Sequence, residues 1–167
     1  MQVSGKKIVV LFGLIGAVTI ATVLVGFRRI GWNRFEANTK LMEGKTNAVD
    51  VARGVMACVE RTGKLPATAP PVPSTLAEVG GKPYRGRPED WDDASWRCIN
   101  WSMKGDQWFR YEWVQNPDGS GGISRASADF DGNGNPEAVY EQVVMCAGMA
   151  DGFHCWPGDF HDIAQMR

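Results

Sequence analysis

Hydrophobic residues are concentrated in one uncharged run near the start of the chain, Ile8–Phe27. Twenty helical residues rising about 1.5 Å each extend roughly 30 Å, the thickness of the hydrocarbon core of a bilayer. Arg28 and Arg29 follow the run, where a cleaved signal peptide would carry small residues. The pattern therefore predicts a retained transmembrane helix over this run, preceded by a short cytoplasmic segment, residues 1–7.

Small residues recur inside the apolar run, where Gly13, Gly16 and Ala17 lie close together in sequence. Small side chains let two helix backbones approach closely within a membrane. These three residues are therefore candidates for a face that packs against another transmembrane helix. The alternative is the ordinary composition of a membrane anchor, in which glycine is common.

A helical pattern continues beyond the membrane run, and no proline interrupts it before Pro66. Apolar residues recur there with a spacing of three to four positions, opposite charged residues: Ala48, Val51, Val55, Cys58 and Val59. One apolar stripe of this kind predicts an amphipathic helix over residues 28–62 that packs on a sheet. Gly63 is suited to the left-handed conformation that ends many helices.

Residues 63–167 form the predicted head of the protein. Residues 64–73 read as an extended connector, Thr75–Glu78 as a helical capping box, and residues 83–105 as a long irregular segment rich in tryptophan. Three segments bounded by turn residues predict strands: Trp108–Val114, Ile123–Ala128 and Glu137–Val144. Met145–Arg167 is expected to be a loop. The predicted fold class is α+β, with a long N-terminal transmembrane-plus-amphipathic helix packed on a small antiparallel β-meander.

Charge is divided unevenly along the chain. Residues 1–62 contain nine Lys and Arg against four Asp and Glu, a net charge of +5, whereas the remainder contains nine against fifteen, a net charge of −6. A nucleic-acid-binding head needs a basic face, so the acidic head argues against nucleic acid as a partner. The sequence contains no nucleophile-turn motif, phosphate-binding glycine loop or haem-attachment motif, and we therefore expect no enzymatic activity.

All four cysteines lie beyond the membrane run, and an even count is typical of disulfides in an oxidising compartment. We expect a Cys58–Cys98 bridge, because Cys58 lies on the helix stripe that faces the sheet and can reach the tryptophan-rich segment. We expect a second bridge, Cys146–Cys155, to close the C-terminal loop. This chemistry predicts a single-pass protein whose head lies in the periplasm.

One acidic turn has the pattern of a calcium loop. Asp129, Asp131 and Asn133 alternate before Gly134, so that their side-chain oxygens could face one ion, and Asn135 and Glu137 could complete the shell. The alternative is a polar hairpin turn, in which Asp, Asn and Gly are chosen for their backbone preferences.

Two other groups of residues could bind a ligand. Cys146, His154, Cys155 and His161 could form a zinc site, although their spacing is irregular and a disulfide explains the two thiols more simply. Seven tryptophans could line a carbohydrate site. In a small domain such residues more often fill the core, and we favour that interpretation.

The order of these features resembles that of type IV pilins and the related pseudopilins of type II secretion. The matching features are an N-terminal membrane helix that continues into the head and four segments: Glu43–Asn47, Ser74–Gly80, Phe109–Trp113 and Ala126–Gly134. The resemblance implies a minor or non-standard structural subunit of a type IV pilus or type II secretion-like filament. Such a subunit is anchored in the inner membrane before assembly and can reach the cell surface. Its implied partners are the membrane and other pilin-like subunits, or copies of itself.

The chain departs from this family near its N-terminus. Family members are cleaved after a Gly that precedes a hydrophobic residue, and they carry a Glu five positions after that Gly. Here Lys6 follows Gly5, and Val10 stands at the position of the Glu. These departures favour an alternative function, a membrane-tethered extracytoplasmic binding module that has the pilin fold and does not polymerise.

Overall fold

The structure is a computed structural model, and it describes residues 38–163. The first element, α1, is helical throughout the described residues up to residue 62. It ends at Gly63, whose φ of 68° is left-handed and whose N–H donates to the carbonyl oxygen of Val59 at 2.7 Å. Because this conformation is strained for residues with a Cβ, the glycine accounts for the helix end, as the sequence predicts.

An antiparallel five-stranded sheet forms the second layer, with the strand order β1-β4-β5-β6-β7. Its strands are β1 (Ala69–Val72), β4 (Arg110–Gln115), β5 (Gly121–Ala128), β6 (Ala138–Met149) and β7 (Gly152–Asp162). Two shorter strands, β2 (Tyr84–Arg85) and β3 (Asp106–Gln107), pair with each other in a separate sheet. The described residues therefore have an α+β fold, with a helix packed on an antiparallel sheet.

The core lies between α1 and one face of the sheet. The helix contributes its apolar stripe, including Val51 and Val55, and the sheet side contributes Phe109, Tyr111 and Trp113, which are all fully buried. Removing each such side chain from water stabilises the fold by about 1.5–3 kcal/mol. The helix is also attached to β5, because the Ser124 hydroxyl donates to the carbonyl oxygen of Ala48 at 2.7 Å.

Two helix glycines allow α1 to approach its neighbours closely. A Cβ at Gly44 would lie 2.5 Å from the ring of Phe109, and a Cβ at Gly54 would lie 2.5 Å from the carbonyl oxygen of Ile99. A Cβ does not approach non-bonded heavy atoms this closely, so a larger residue would push the helix away. These glycines are needed for packing rather than for backbone conformation.

The C-terminal segment corrects the sequence prediction. The sequence predicts a loop over Met145–Arg167, but β6 runs to Met149, and β7 pairs with it antiparallel as a long hairpin. The strand is at the edge of the sheet and is exposed on both faces for most of its length, so it lacks the alternation that identifies a strand. A register irregularity between Gln142, which pairs with Phe160, and Val144, which pairs with Pro157, interrupts the pattern further.

Two other segments are more ordered than the sequence predicts. The connector over residues 64–73 contains β1, an edge strand that tolerates its prolines because one side makes no ladder hydrogen bonds. Residues 83–105 contain β2, a short 3₁₀ turn over Pro88–Trp91 and a helix, α2 (Ala94–Ile99). Asp93 caps α2 by accepting the Ser95 N–H at 2.7 Å. Side chains rather than apolar periodicity order this segment.

The predicted transmembrane run, Ile8–Phe27, lies outside the described residues, and so do Gly13, Gly16 and Ala17 within it. Within residues 38–163, no helix combines the length and the apolar character needed to cross a membrane.

Candidate functional site

The acidic turn predicted as a calcium loop connects β5 to β6. At its start, Asp129 is fully buried, and its carboxylate accepts three backbone N–H groups at 2.8–3.1 Å, from Gly132, Asn133 and Gly134. Its end is closed by Glu137, whose N–H donates to the carbonyl oxygen of Ala128 at 2.9 Å. Backbone hydrogen bonds to one buried carboxylate therefore account for the shape of the turn.

Three of the five predicted ligands come together in this turn. One carboxylate oxygen from each of Asp129, Asp131 and Glu137 lies within 4.8 Å of the other two. Calcium binds oxygen at about 2.3–2.6 Å, so two oxygens on one ion are at most about 5 Å apart. Among the described residues, no Lys or Arg forms an ion pair with these carboxylates. The spacing and the donor chemistry fit a calcium ion.

The two asparagines of the turn make hydrogen bonds within it. The Asn133 side-chain NH₂ group donates to Asp131 at 2.9 Å and to Glu137 at 3.3 Å, so its nitrogen, rather than its oxygen, faces the carboxylates. Its amide oxygen accepts the Asn135 N–H at 2.8 Å, and Asn135 itself is exposed. The amide of Asn133 thus offsets part of the negative charge in this arrangement, and the ligand roles of Asn133 and Asn135 stay predictions.

The carboxylates of the turn affect one another. Burial raises the pKa of Glu137, and neighbouring Asp131 raises it further, while a hydrogen bond from the Phe130 N–H opposes this. The pKa of Asp131 is lowered, chiefly by the hydrogen bond that it accepts from the Asn133 N–H. Glu137 is therefore the carboxyl group of this pair that holds a proton more strongly, and a cation would compete with that proton.

A second polar site, which the sequence did not reveal, joins α1 to β4. The Glu43 carboxylate accepts the Trp108 N–H and the Tyr111 hydroxyl, both at 2.9 Å, and Asn47 donates to the same hydroxyl at 2.9 Å. Burial raises the pKa of Glu43, although the hydrogen bond from Trp108 and that from Tyr111 partly oppose this shift. The Lys40 ammonium lies 3.6 Å above the Trp108 ring. The segment Glu43–Asn47 is thus the polar attachment of the helix to the sheet.

Both predicted disulfides are present in the structure. Cys58–Cys98 joins the end of α1 to α2, and Cys146–Cys155 joins directly opposed residues of β6 and β7. Because these sulfurs are bridged, they supply no thiolate to a metal, and the zinc alternative is not supported in this state. Across the hairpin turn, Nε2 of His154 lies 3.1 Å from Oδ1 of Asp151.

The tryptophan-rich segment packs as an aromatic cluster, as favoured from the sequence. Trp91 makes edge-to-face contacts with Trp96 and Trp101, with ring centroids 5.0 and 5.1 Å apart. A cleft of about 180 Å³ opens beside these rings, and Arg97 and Asn100 also line it. Trp96 and Trp91 are buried and Trp101 is half-buried, so the cluster serves mainly as core.

Comparisons of the chain with known protein families, curated proteins and solved structures found no match.

Proposed function

We propose that the protein is a pilin-like structural subunit that is anchored in a membrane through Ile8–Phe27 and assembles into an extracytoplasmic filament. The observation that carries this proposal is the attachment of α1 to the sheet through Glu43 and Gly44. A subunit that is held by its helix must transmit load from that helix to its head.

Two of the attachments between α1 and the head lie far apart along the helix. At one place Glu43 binds Trp108 and Tyr111, and at the other the Cys58–Cys98 bridge ties the helix to α2. A covalent bridge and a half-buried, hydrogen-bonded carboxylate resist separation of helix and head better than apolar packing alone. This arrangement supports a mechanical role.

A surface for neighbouring subunits is available on the β6–β7 hairpin. Of the exposed large apolar side chains among the described residues, only Met42 lies on α1, and the others lie on or next to this hairpin: Met145, Met149, Trp156, Phe160 and Ile163. Met145 and Trp156 are directly opposed across the two strands. Clustered exposed apolar groups often mark protein interfaces. We propose that this hairpin contacts other pilin-like subunits or copies of the same chain.

We also propose that calcium binds Asp129, Asp131 and Glu137 and stiffens the turn between β5 and β6. Its role is structural, because a divalent ion offsets the repulsion among the three carboxylates. The backbone of this turn also contacts the segment that follows a 3₁₀ turn over Leu76–Val79, where the Gly81 N–H donates to the carbonyl oxygen of Asp129 at 2.8 Å. The ion would therefore stabilise two loops at one end of the sheet.

The second candidate function is a membrane-tethered binding module that has the same fold and does not polymerise. The absence of a Glu from Ile8–Phe27 favours it, since that carboxylate is expected to align neighbouring pilins. The cleft beside Trp91 and Trp101 offers a surface for a ligand. This candidate predicts that the protein stays in the membrane when surface filaments are removed.

The test is mechanical shearing of cells that make the full-length protein, followed by immunodetection in the sheared filaments. The filament proposal predicts the protein in that fraction, and it predicts that Met145→Lys reduces the amount. Ala67→Lys is a matched control, because it places the same charge at an exposed position outside the hairpin. Retention of all protein in the membrane would instead favour the tethered binding module.

A further inference from the structure

Two buried polar atoms among the described residues face the same small space without a hydrogen-bond partner. One is the indole Nε1 of Trp91, a donor, and the other is the side-chain oxygen Oε1 of Gln107, an acceptor. Trp91 is 6% exposed and Gln107 is fully buried. A Cβ built on Gly86 would lie 3.6 Å from the Trp91 nitrogen and 3.5 Å from the Gln107 oxygen, so the two atoms flank one point beside this glycine.

Neither side chain can turn away to find another partner. The Gln107 NH₂ group donates to the carbonyl oxygens of Val72 at 3.0 Å and Phe109 at 2.8 Å, which fixes the amide and directs its oxygen to the other side. The Trp91 ring is fixed between Trp96 and Trp101. The arrangement is therefore rigid.

Other buried indole N–H groups donate a hydrogen bond, whereas that of Trp91 has no acceptor among the described residues. Trp96 donates to the carbonyl oxygen of Pro70 at 2.8 Å, and Trp113 donates to that of Pro66 at 3.1 Å. Buried polar groups in folded proteins nearly always have a partner, either a protein group or an ordered water. A donor and an acceptor that face one space without touching are the usual partners of a bridging molecule.

We propose that Trp91 and Gln107 bind a hydroxyl group beside Gly86, which accepts from the indole nitrogen and donates to the amide oxygen. Water and the hydroxyl of a small polyol share this chemistry. Gly86 is half-buried, so the space lies near the surface. The bound hydroxyl would join the 3₁₀ turn of Trp91 to β3, and thus hold the tryptophan-rich segment on the fold.

Gly86 provides the substitution that tests this. Its φ is not left-handed, and a Cβ there makes only ordinary contacts of 3.5 Å or more, so Gly86→Ala causes neither backbone strain nor a clash. The methyl group does occupy a point that lies within 3.6 Å of both polar atoms. Gly148→Ala is the control, because this glycine also lacks a left-handed φ and a Cβ there has no neighbour within 4 Å.

The first measurement is denaturant unfolding of the full-length chain in detergent micelles. Displacing the hydroxyl leaves a buried donor and acceptor unpaired, so Gly86→Ala should raise the unfolding equilibrium constant about 5- to 150-fold, equivalent to about 1–3 kcal/mol. Gly148→Ala should leave it unchanged or lower it. A Gly86→Ala chain as stable as the unsubstituted one would overturn the proposal.

The second measurement is magnetisation transfer from water to the Trp91 indole proton by NMR, with the signal assigned by its loss in Trp91→Phe. A transfer signal in buffer alone, lost in Gly86→Ala, identifies the hydroxyl as that of a long-lived water. A change in the indole signal only on addition of glycerol or glucose identifies a polyol. Neither effect in the unsubstituted chain would contradict the proposal, whatever the stability of Gly86→Ala.

Discussion

Glu43 on α1 accepts a hydrogen bond from the hydroxyl of Tyr111 on β4, with the two oxygens 2.9 Å apart. Tyr140, on β6, is just as completely buried, but its hydroxyl has no hydrogen-bond partner among residues 38–163. Two tyrosines in one core therefore differ in whether the hydroxyl is paired. This difference separates the polar attachment of the helix from ordinary aromatic packing.

Replacing either tyrosine by phenylalanine removes one oxygen and keeps the ring. We expect Tyr111→Phe to destabilise the protein by about 1.5–3 kcal/mol, because it removes a hydrogen bond to a carboxylate. We expect Tyr140→Phe to be neutral or stabilising, because an unpaired buried hydroxyl is costly. Denaturant unfolding of both variants measures the difference. Equal losses of stability would show that the Glu43 contact contributes nothing specific.

Tyrosine ionisation should destabilise the folded head at alkaline pH. Burial raises the pKa of Tyr84 and Tyr111, and it raises that of Tyr140 to about 12. Since each folded pKa lies above the unfolded value of about 10, the stabilisation is complete below pH ~10 and is lost as pH rises through the folded values. Tyrosinate absorbance should therefore remain low at pH 10 and rise above it. Ionisation of any of the three at its ordinary pKa in the folded protein would contradict this prediction.

The two disulfides should differ in their contribution to stability. Cys58 and Cys98 are separated by 40 positions, and Cys146 and Cys155 by 9. The loop-closure entropy of the unfolded chain then predicts losses of about 4 and about 2.5 kcal/mol on removal of each bridge. Double substitution of each pair by alanine, followed by chemical unfolding, tests the order. A larger loss for the hairpin bridge would mean that local packing at these cysteines outweighs chain entropy.

Calcium should stabilise the protein through the turn that contains Asp129, Asp131 and Glu137. At one to ten times the dissociation constant, binding contributes about 0.4–1.4 kcal/mol. The melting temperature of the full-length chain in micelles should rise by a few degrees with calcium relative to chelator. The effect should disappear in Asp131→Asn, while an exposed acid on another loop provides the control, Asp118→Asn. Identical melting with calcium and with chelator would leave only a polar turn.

In the absence of calcium, the same turn should lower the stability of the protein as pH rises. Because the pKa of Glu137 is raised in the folded state, its contribution to stability is present below its unfolded pKa and is lost as pH rises through the folded value. Glu137→Gln should therefore stabilise the calcium-free protein at neutral pH and abolish the response to calcium. A destabilised variant at neutral pH would show that the Phe130 hydrogen bond outweighs the repulsion from Asp131.

Hydrophobic spacing and turn residues in the sequence predicted the amphipathic helix, its end and one of the inner strands. The apolar stripe from Ala48 to Val59, the end of the helix at Gly63 and a strand at the position of β4 are all present as expected. The disulfides were predictable because four cysteines, one on a helix stripe, allow few pairings. β7 was not predictable, since an exposed edge strand that contains Pro157 buries too little of either face to produce an alternation.

The polar sites depended on contacts between distant residues and were predicted only in part. Asp129, Asp131 and Glu137 come together because they share one turn. The orientation of the Asn133 amide is set by its hydrogen bonds to Asn135 and the carboxylates. The spacing of residues in the sequence does not predict this orientation. Glu43 and Tyr111 are 68 positions apart, and only the folded structure shows that they form one site.

The central claim is that a membrane-anchored chain is also a filament subunit. Its most direct test is the intact mass of the protein, purified from carbonate-extracted membranes and from sheared surface filaments of the same cells. The account predicts the protein in both fractions, with a mass that includes Ile8–Phe27. A soluble protein that begins near residue 28, with none in the filament fraction, would contradict it.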